Sequence, residues 1–257
     1  PMSEQIILER SGSLAWIKVQ RPESLNALSR GIVDQLDALV EQVRQDPNIR
    51  VLLFYGEKNF AAGADIKDMA PCDEAGARAF LFTPTYNKIQ GLPIPTIAVM
   101  EGYAFGGGLE LALRCDFRIA AENAKMGLPE LNLGIIPGAG GTVLLPRLIG
   151  EAKAKEMIYL SRTVTGEEAE HMGLVNLAVE PEELLPTAER WAEKLCTRSR
   201  RSLAAAKCSI EHGIGNPDYA EACNFEGRVW AELFNHPDQK EGMAAFFEKR
   251  KPAFTNE

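Results

Sequence analysis

Residues 102–110 read Gly-Tyr-Ala-Phe-Gly-Gly-Gly-Leu-Glu, a glycine turn that follows the strand-like residues 96–100 and opens a short helix. Backbone N–H groups at the start of a helix point outward and carry partial positive charge, so Gly107 can donate to a developing oxyanion. Glu110 follows among apolar neighbours, where desolvation raises the pKa of a carboxyl group toward the neutral range that suits proton transfer. This stretch therefore predicts part of an active site on a strand-to-helix turn.

Strand-like and helical patterns alternate along the rest of the chain. The predicted strands are residues 6–9, 14–19, 51–55, 96–100, 117–120 and 174–179. Amphipathic spacing predicts a helix over residues 32–43, residues 73–90 read as one helical stretch, and residues 182–247 read as successive helices. The alternation predicts an α/β fold. We place a boundary between a core of residues 1–198 and a helical region of residues 199–257.

The composition excludes several functional classes. A formal net charge of -8 over 257 residues argues against a general nucleic-acid binder, and leaves open a local basic patch for one small polyanion. Five cysteines without a C-x-x-C pair and three scattered histidines form neither a disulfide framework nor a zinc pattern. The sequence therefore predicts neither a disulfide-stabilised fold nor a zinc site.

Membrane association is not expected either, because no apolar run approaches the roughly 18 residues of a membrane span. The N-terminus lacks the basic and then apolar pattern of a secretion signal. A cytoplasmic protein is the plain interpretation, and a removed organelle presequence is left open.

A second turn, at residues 58–67, directly follows the predicted strand 51–55. Its small residues, Ala-Ala-Gly-Ala at positions 61–64, leave backbone N–H groups accessible, as an oxyanion receptor requires. Taken alone, an ordinary tight turn before a helix is the simpler interpretation.

A third stretch, residues 127–142, places Glu130 between Pro129 and Leu131 ahead of a glycine-rich run. Taken alone, this run is better explained as a connection between helices. Neither nucleotide motif is met, because Leu111 stands where G-x-G-x-x-G needs its last glycine and the chain contains no G-K-[ST]. The three stretches together favour a shared active site.

Residues 165–168, Thr-Gly-Glu-Glu, fit a capping box at the start of a further helix. His171 falls in the last turn of that helix, where a histidine side chain interacts favourably with the negative end of the helix dipole. A structural role is therefore the better interpretation for this histidine.

The three stretches, in this order and spacing, resemble the enoyl-CoA hydratase/isomerase, or crotonase, family, from about residue 6 to residue 254. Supporting motifs are Arg21-Pro22, Asn26-Ala27-Leu28, Ala62-Gly63-Ala64-Asp65-Ile66-Lys67, Cys115-Asp116, Glu241-Gly242-Met243-Ala244-Ala245-Phe246 and Glu248-Lys249-Arg250. The resemblance implies a crotonase-like spiral of ββα units followed by a C-terminal helical trimerisation region. It also implies assembly as a homotrimer or as a homohexamer made of two trimers.

The resemblance implies roles for individual residues. The amides of Ala64 and Gly107 would form the oxyanion hole that holds the thioester oxygen. Glu110 and Glu130 fall where hydratases of the family carry their two catalytic carboxylates. The backbone amide of Gly138 would help to hold the attacking water.

Coenzyme A, as part of the substrate and not as a separate cofactor, would lie along the second stretch. The residues implied are Ala62, Ala64, Asp65 and Ile66, with Lys58 and Lys67 near the phosphates. Phe246 and Lys249 would reach the ligand of an adjacent subunit.

The reaction implied is the reversible syn addition of water to a trans-2-enoyl-CoA, which gives a 3-hydroxyacyl-CoA. Two alternatives stay open: a Δ3-Δ2-enoyl-CoA isomerase that relies mainly on Glu130, and a catalytically idle relative that binds RNA. The presence of Glu110 favours the hydratase, and the acidic composition argues against RNA binding.

The acyl chain is not defined by the sequence. Leu128 stands where many relatives carry glutamine, and residues 143–145 are apolar where a more polar stretch is common. Phe80, Leu81, Phe82 and Tyr86 are candidates for the acyl pocket, but an apolar stripe of this kind is more often core. Chain length, branching and pathway therefore stay open.

Overall fold

Within residues 5–255, the range that the computed structural model describes, the backbone forms nine strands in two sheets. Their bounds are β1 Ile6–Ser11, β2 Leu14–Val19, β3 Val51–Gly56, β4 Thr96–Met100, β5 Tyr103–Phe105, β6 Phe117–Ala121, β7 Lys125–Gly127, β8 Val164–Thr165 and β9 Leu177–Val179. The ends of the two predicted regions, residues 1–4 and 256–257, lie outside the described range.

The main sheet has the strand order β1-β2-β3-β4-β6-β9. The predicted strands 6–9 and 14–19 correspond to β1 and β2, which form an antiparallel hairpin, and all other neighbours in this sheet are parallel. Every residue of β4 is buried, as expected for a parallel strand covered on both faces. The predicted alternation of strands and helices is therefore confirmed.

A smaller sheet joins β5, β7 and β8. Strand β5 is parallel to β7, and β7 is antiparallel to β8. The sequence analysis missed all three strands, because two or three residues are too few to show a period of two. Strand β5 matters for function, since it leads directly into the glycine turn.

The helices are, in chain order, α1 Arg30–Gln45, α2 Ile66–Met69, α3 Glu74–Ala79, α4 Thr83–Gln90, α5 Gly107–Leu113, α6 Gly141–Ile149, α7 Glu151–Tyr159, α8 Gly166–His171, α9 Leu184–Cys196, α10 Arg200–Gly215, α11 Tyr219–Glu232 and α12 Pro237–Phe247. Helix α1 buries the predicted apolar stripe and is capped by the Ser29 side chain, which accepts from the Ile32 amide. All seven residues of α5 are buried. Helix α5 is therefore a fixed platform in the core.

Two predicted elements were wrong in their extent. Residues 73–90 form two helices, α3 and α4, because Pro84 in the first turn of α4 has no N–H to continue an earlier helix. The predicted strand 174–179 shrinks to β9, because the amides of Leu174 and Val175 both donate to the Ala169 carbonyl in a turn.

The predicted capping box is confirmed at α8: the Thr165 hydroxyl accepts from the Glu168 amide, and the Glu168 side chain accepts from the Thr165 amide. His171 closes the same helix, with Nδ1 at 2.8 Å from the Glu167 carbonyl oxygen. Its contacts fit the structural role.

Helices α10 to α12 carry the C-terminal region, and Ser199 caps α10. Lys207 of α10 forms an ion pair of 3.0 Å with Asp116, which itself accepts from the Thr96 amide at the start of β4. This contact ties α10 to the sheet. The division into residues 1–198 and 199–257 as separate units stays a prediction. Within the described range, no helix is both long and apolar enough to cross a bilayer.

Candidate active site

A largely apolar cavity of about 390 Å³ lies where the three glycine-containing stretches meet. Its lining comes from residues 62–66, 106–110 and 129–139, and from the segment 69–82. The stretches that the sequence analysis singled out separately thus border one space.

Backbone hydrogen bonds bring the stretches together. The Ala61 amide donates to the Tyr103 carbonyl at 3.0 Å, and the Phe105 amide donates back to the Ala61 carbonyl at 3.0 Å. The Gly106 amide then donates to the Gly127 carbonyl at 3.0 Å. Main-chain hydrogen bonds therefore hold the second turn, the α5 turn and the third stretch in register.

Two backbone N–H groups face the cavity side by side. Gly107 is the first residue of α5, and a Cβ atom built on it would lie 3.7 Å from the Ala64 nitrogen. Among the hydrogen bonds formed within residues 5–255, neither the Ala64 nor the Gly107 N–H group is a donor. The two amides therefore remain available to a ligand.

Gly106 makes this arrangement possible. Its φ of 50° lies in the left-handed region, which suits glycine. A Cβ atom on Gly106 would also lie 2.7 Å from Oε1 of Glu130, well inside van der Waals contact. The turn thus needs glycine both for its backbone and to admit the carboxyl group.

Glu110 is 2% exposed and lies on α5, one turn after Gly107. Its Oε1 accepts from the amides of Ala139 and Gly141, each at 2.8 Å. Burial raises the pKa of Glu110, whereas the two amides and the charge of Arg114 lower it. The amides favour the ionised carboxylate over the acid.

Glu130 lies at the start of a 3-10 helix, Glu130–Leu133, on the opposite side of the glycine turn. Burial, and after it the charge of Glu110, raise its pKa to about 7. Within the described residues, its buried Oε2 has no hydrogen-bond partner. The Glu130 carboxyl therefore holds its proton into the neutral range.

Gly138 also borders the cavity, close to the two amides that bind Glu110. Its carbonyl accepts from the Thr83 hydroxyl at 3.2 Å, which ties the loop to α4. In the part of the chain that the structure describes, the Gly138 N–H is not a donor. A third backbone donor is thus available near the two carboxyl groups.

Comparisons with known proteins agree with this geometry. A model of the enoyl-CoA hydratase/isomerase family matches residues 9–257. The chain belongs to the enoyl-CoA hydratase/isomerase family. The resemblance inferred from the motifs is confirmed.

Individual relatives of the family cover nearly the whole chain. A crotonyl-CoA hydratase of Syntrophomonas wolfei is 41% identical over 98% of both proteins. A short-chain-enoyl-CoA hydratase of Clostridium acetobutylicum is 38% identical over 96% of this chain and 95% of the relative. The crystal structure of an enoyl-CoA hydratase from Bacillus anthracis superposes with a TM-score of 0.94 at 38% identity, covering 99% of this chain and 100% of that one. The predicted crotonase fold is confirmed.

The residues implied as coenzyme A contacts fall into four groups. Ala62, Ala64 and Ile66 line the cavity. Asp65 does not, since its carboxylate caps α2 through the Lys67 amide and lies 3.4 Å from Arg21. These contacts give the Asp65 side chain a structural role.

The two lysines implied near the phosphates lie outside the cavity lining. Lys58 has a left-handed backbone, with φ of 66°, and donates its amide to Glu101. Lys67 lies in the first turn of α2, beside the cavity residue Ile66. Both are placed on the turn that follows β3.

Phe246 and Lys249 lie at the C-terminal end of α12 and do not border the cavity of their own chain. The Phe246 side chain is 78% exposed. The fold of a single chain therefore does not bring these two residues to the remaining site residues.

The aromatic stripe, expected to be core, is mainly cavity wall. Phe80, Leu81 and Phe82 line the cavity, and only Tyr86 lies wholly in the core, where its hydroxyl donates to the Gly107 carbonyl at 2.7 Å. The expectation failed because the break between α3 and α4 turns residues 80–82 toward the site.

Several wall residues escaped the sequence analysis. They are Met69, Cys72, Ala77, Leu133, Ile135 and Ile136. The sequence signal for this wall was the pair of adjacent isoleucines ahead of Pro137. In the structure they lie in a loop, and Ile136 remains 66% exposed. Leu128 is buried, and a Cβ on Gly141 would lie 2.9 Å from its Cδ1 atom. It therefore packs behind the loop that binds Glu110.

Proposed function

We propose that this chain is an enoyl-CoA hydratase, which adds water reversibly and in the syn sense to a trans-2-enoyl-CoA. One observation carries the proposal: Glu110, Glu130 and the amides of Ala64 and Gly107 border the same cavity. The names of the relatives, crotonyl-CoA hydratase and short-chain-enoyl-CoA hydratase, support the same reaction.

The Ala64 and Gly107 amides are proposed as the oxyanion hole. Attack on the β-carbon of a conjugated thioester drives charge onto the carbonyl oxygen, and two preorganised donors stabilise that charge. One such donor is worth about 3 to 4 kcal/mol of barrier. The ladder between Ala61 and Phe105 and the bond from Tyr86 hold the two donors in place before the substrate arrives.

The two carboxyl groups are proposed to act in different protonation states. Glu110, stabilised as a carboxylate by the Ala139 and Gly141 amides, accepts a proton from water. Glu130, whose pKa is raised to about 7, delivers a proton to the α-carbon. Because the groups are coupled, the pair titrates as a unit with two apparent pKa values.

The water is proposed to lie between Glu110 and the Gly138 amide. The Gly138 N–H borders the cavity and is not a donor within residues 5–255, and the Thr83 hydroxyl holds its carbonyl. A fixed donor keeps one lone pair of the water occupied, so that the other faces the β-carbon. The hydration consumes only water and the enoyl thioester.

Coenzyme A is proposed to run along Ala62, Ala64, Asp65 and Ile66. Lys58 and Lys67 flank this turn and supply positive charge for phosphates. The apolar wall around Phe82 and Ile136 suits the acyl chain. Substrate length is a matter for measurement.

A homotrimer, or a homohexamer of two trimers, is the proposed assembly. Large apolar side chains are exposed on the C-terminal helices: Ile210, Ile214, Tyr219, Trp230, Met243, Phe246 and Phe247. Side chains of this size favour burial against another protein surface. In the assembly, Phe246 and Lys249 would reach the ligand of a neighbouring subunit. Light scattering with mass determination tests the assembly, and a persistent monomer would contradict it.

The activity test uses the absorbance of the conjugated thioester. Purified protein is expected to remove the absorbance of crotonyl-CoA, and a panel of longer, branched and aromatic enoyl-CoA thioesters then ranks specificity by kcat/KM. Glu110→Gln and Glu130→Gln should each abolish hydration, with Glu151→Gln, exposed in the first turn of α7, as the matched control.

The outcomes separate the alternatives. Full hydration by both active-site variants would reject the assigned chemistry. Double-bond migration that survives Glu110→Gln but not Glu130→Gln would identify an isomerase. Salt-sensitive RNA binding without any turnover would identify the idle relative.

A further inference from the structure

Two side chains of one helix grip the loop of residues 138–141 from opposite sides. Glu110 and Arg114 lie one turn apart at α5, Arg114 at its C-terminal cap. Glu110 accepts the N–H groups of Ala139 and Gly141. Arg114 donates through Nη2 at 2.9 Å and Nε at 3.3 Å to the Ala139 carbonyl. The Ala139 carbonyl is thus held by Arg114, and the N–H groups of the peptide units before and after it are held by Glu110.

The guanidinium of Arg114 is itself held in place. Its Nη1 donates to Asn87 Oδ1 at 2.9 Å and to Gln90 Oε1 at 2.7 Å, both on α4. Gly140 covers its other side, with φ of 120°, and a Cβ there would lie 2.8 Å from Nη2. The glycine therefore leaves room for the guanidinium, and a larger residue would displace it.

We propose that Arg114 is a positioning residue, which orients the Ala139 and Gly141 amides on the Glu110 carboxylate and keeps that carboxylate ionised. Arg114 is not among the residues that line the cavity. It acts through the loop, by its hydrogen bonds to the Ala139 carbonyl, and through space, by its positive charge.

The charged and titratable groups around Glu110 are few. Arg114 lowers the pKa of Glu110, opposing the burial that raises it. Tyr86 faces Glu110 from α4, and its own pKa is raised by burial and then by the Glu110 charge. Glu130 faces it across the glycine turn, and Glu211 approaches Arg114 through Gln90. Arg114 is the cation among them that favours an ionised Glu110.

The test replaces the guanidinium by an apolar side chain of similar length, in Arg114→Met. The substitution removes an opposite charge and the hydrogen bonds that orient the Ala139 and Gly141 amides. Both losses are expected to raise the pKa of Glu110, by about one unit in total. The acid limb of the kcat/KM profile then moves up by the same amount, and below both pKa values activity falls about tenfold. Arg114→Lys keeps the charge and one donor. Its Glu110 pKa and its activity should therefore lie between those of the wild type and of Arg114→Met.

Carbon-13 NMR of labelled glutamate carboxyls, with Glu110 assigned by its absence in Glu110→Gln, measures the titration without turnover. Arg44→Met, which removes an exposed guanidinium paired with Glu41, is the matched control. Arg114→Gln replaces the methionine variant if that variant does not fold. A wild-type Glu110 titration in the uncharged variants overturns the proposal, even if their stability falls.

The effect on rate depends on the proposed hydratase function, but the carboxyl titration does not. A wild-type protein that fails to hydrate any enoyl-CoA rejects the proposed function alone. An unmoved Glu110 signal rejects the role of Arg114 alone.

Discussion

Gly108 is the position where the smallest change should do the most damage to the oxyanion hole. It is the second residue of α5 and packs against the turn that carries Ala64. A Cβ atom built on Gly108 would lie 2.7 Å from the Cβ of Ala61 and closer still to the Ala61 carbonyl oxygen. Ordinary carbon contacts are about 3.5–4.0 Å, so Gly108→Ala requires a shift on the order of 1 Å.

That shift separates the two backbone donors. Ala61 is fixed to β5 by its two main-chain bonds, so α5 must move away from residues 61–64. A misplacement of about 1 Å costs on the order of 100-fold in rate, or about 2.7 kcal/mol of barrier. Overpacking lowers the free energy of unfolding by about 1–3 kcal/mol, and the better helix propensity of alanine offsets about 1 kcal/mol of that loss.

We therefore expect Gly108→Ala to remain folded with a loss in kcat/KM of about 100-fold for crotonyl-CoA. Gly213→Ala is the matched control, because Gly213 lies within α10 and has no atom within 4 Å of a built Cβ. It should gain about 1 kcal/mol in the free energy of unfolding. Wild-type kcat/KM in a folded Gly108→Ala protein would refute the reasoning.

Further predictions concern pH and stability. In the proposed mechanism Glu130 acts as the acid, and its pKa is raised to about 7, so kcat should fall as pH rises above 7; a flat profile to pH 9 would contradict this. Tyr86→Phe removes the buried bond to Gly107 and should cost about 1 kcal/mol in urea unfolding, with wild-type stability as the contrary result. Thr165→Ala breaks the capping box and should lower stability by about 1 kcal/mol without changing kcat, whereas a change in kcat would show a role beyond the cap.

Parts of this fold follow from sequence because the signal is local. Strands β3 and β4 are apolar runs long enough to stand out, and the stripe of α1 repeats over three turns. The break before α4 depends on a single residue, Pro84, inside an otherwise helical composition. The strands of the smaller sheet depend on pairing partners distant in the chain, which no local pattern contains.

The site residues also divide into those that local sequence indicates and those that depend on contacts between distant parts of the chain. Glu110 and Glu130 stand out because each is a carboxylate among apolar neighbours and glycines. Their convergence on one cavity follows from main-chain bonds between separate turns, and only the order of motifs pointed to it. The contact of Arg114 with Ala139 spans 25 residues and has no motif of its own, so it became apparent only in three dimensions.

The proposed use of peptide nitrogens to hold the thioester oxygen has an evolutionary consequence. Most codon changes at positions 64 and 107 alter a side chain but leave the N–H in place, and only proline deletes it. Acid and base groups, in contrast, can be lost or exchanged in one step. A fold of this kind can continue to bind acyl thioesters while its catalytic side chains are replaced and the reaction changes.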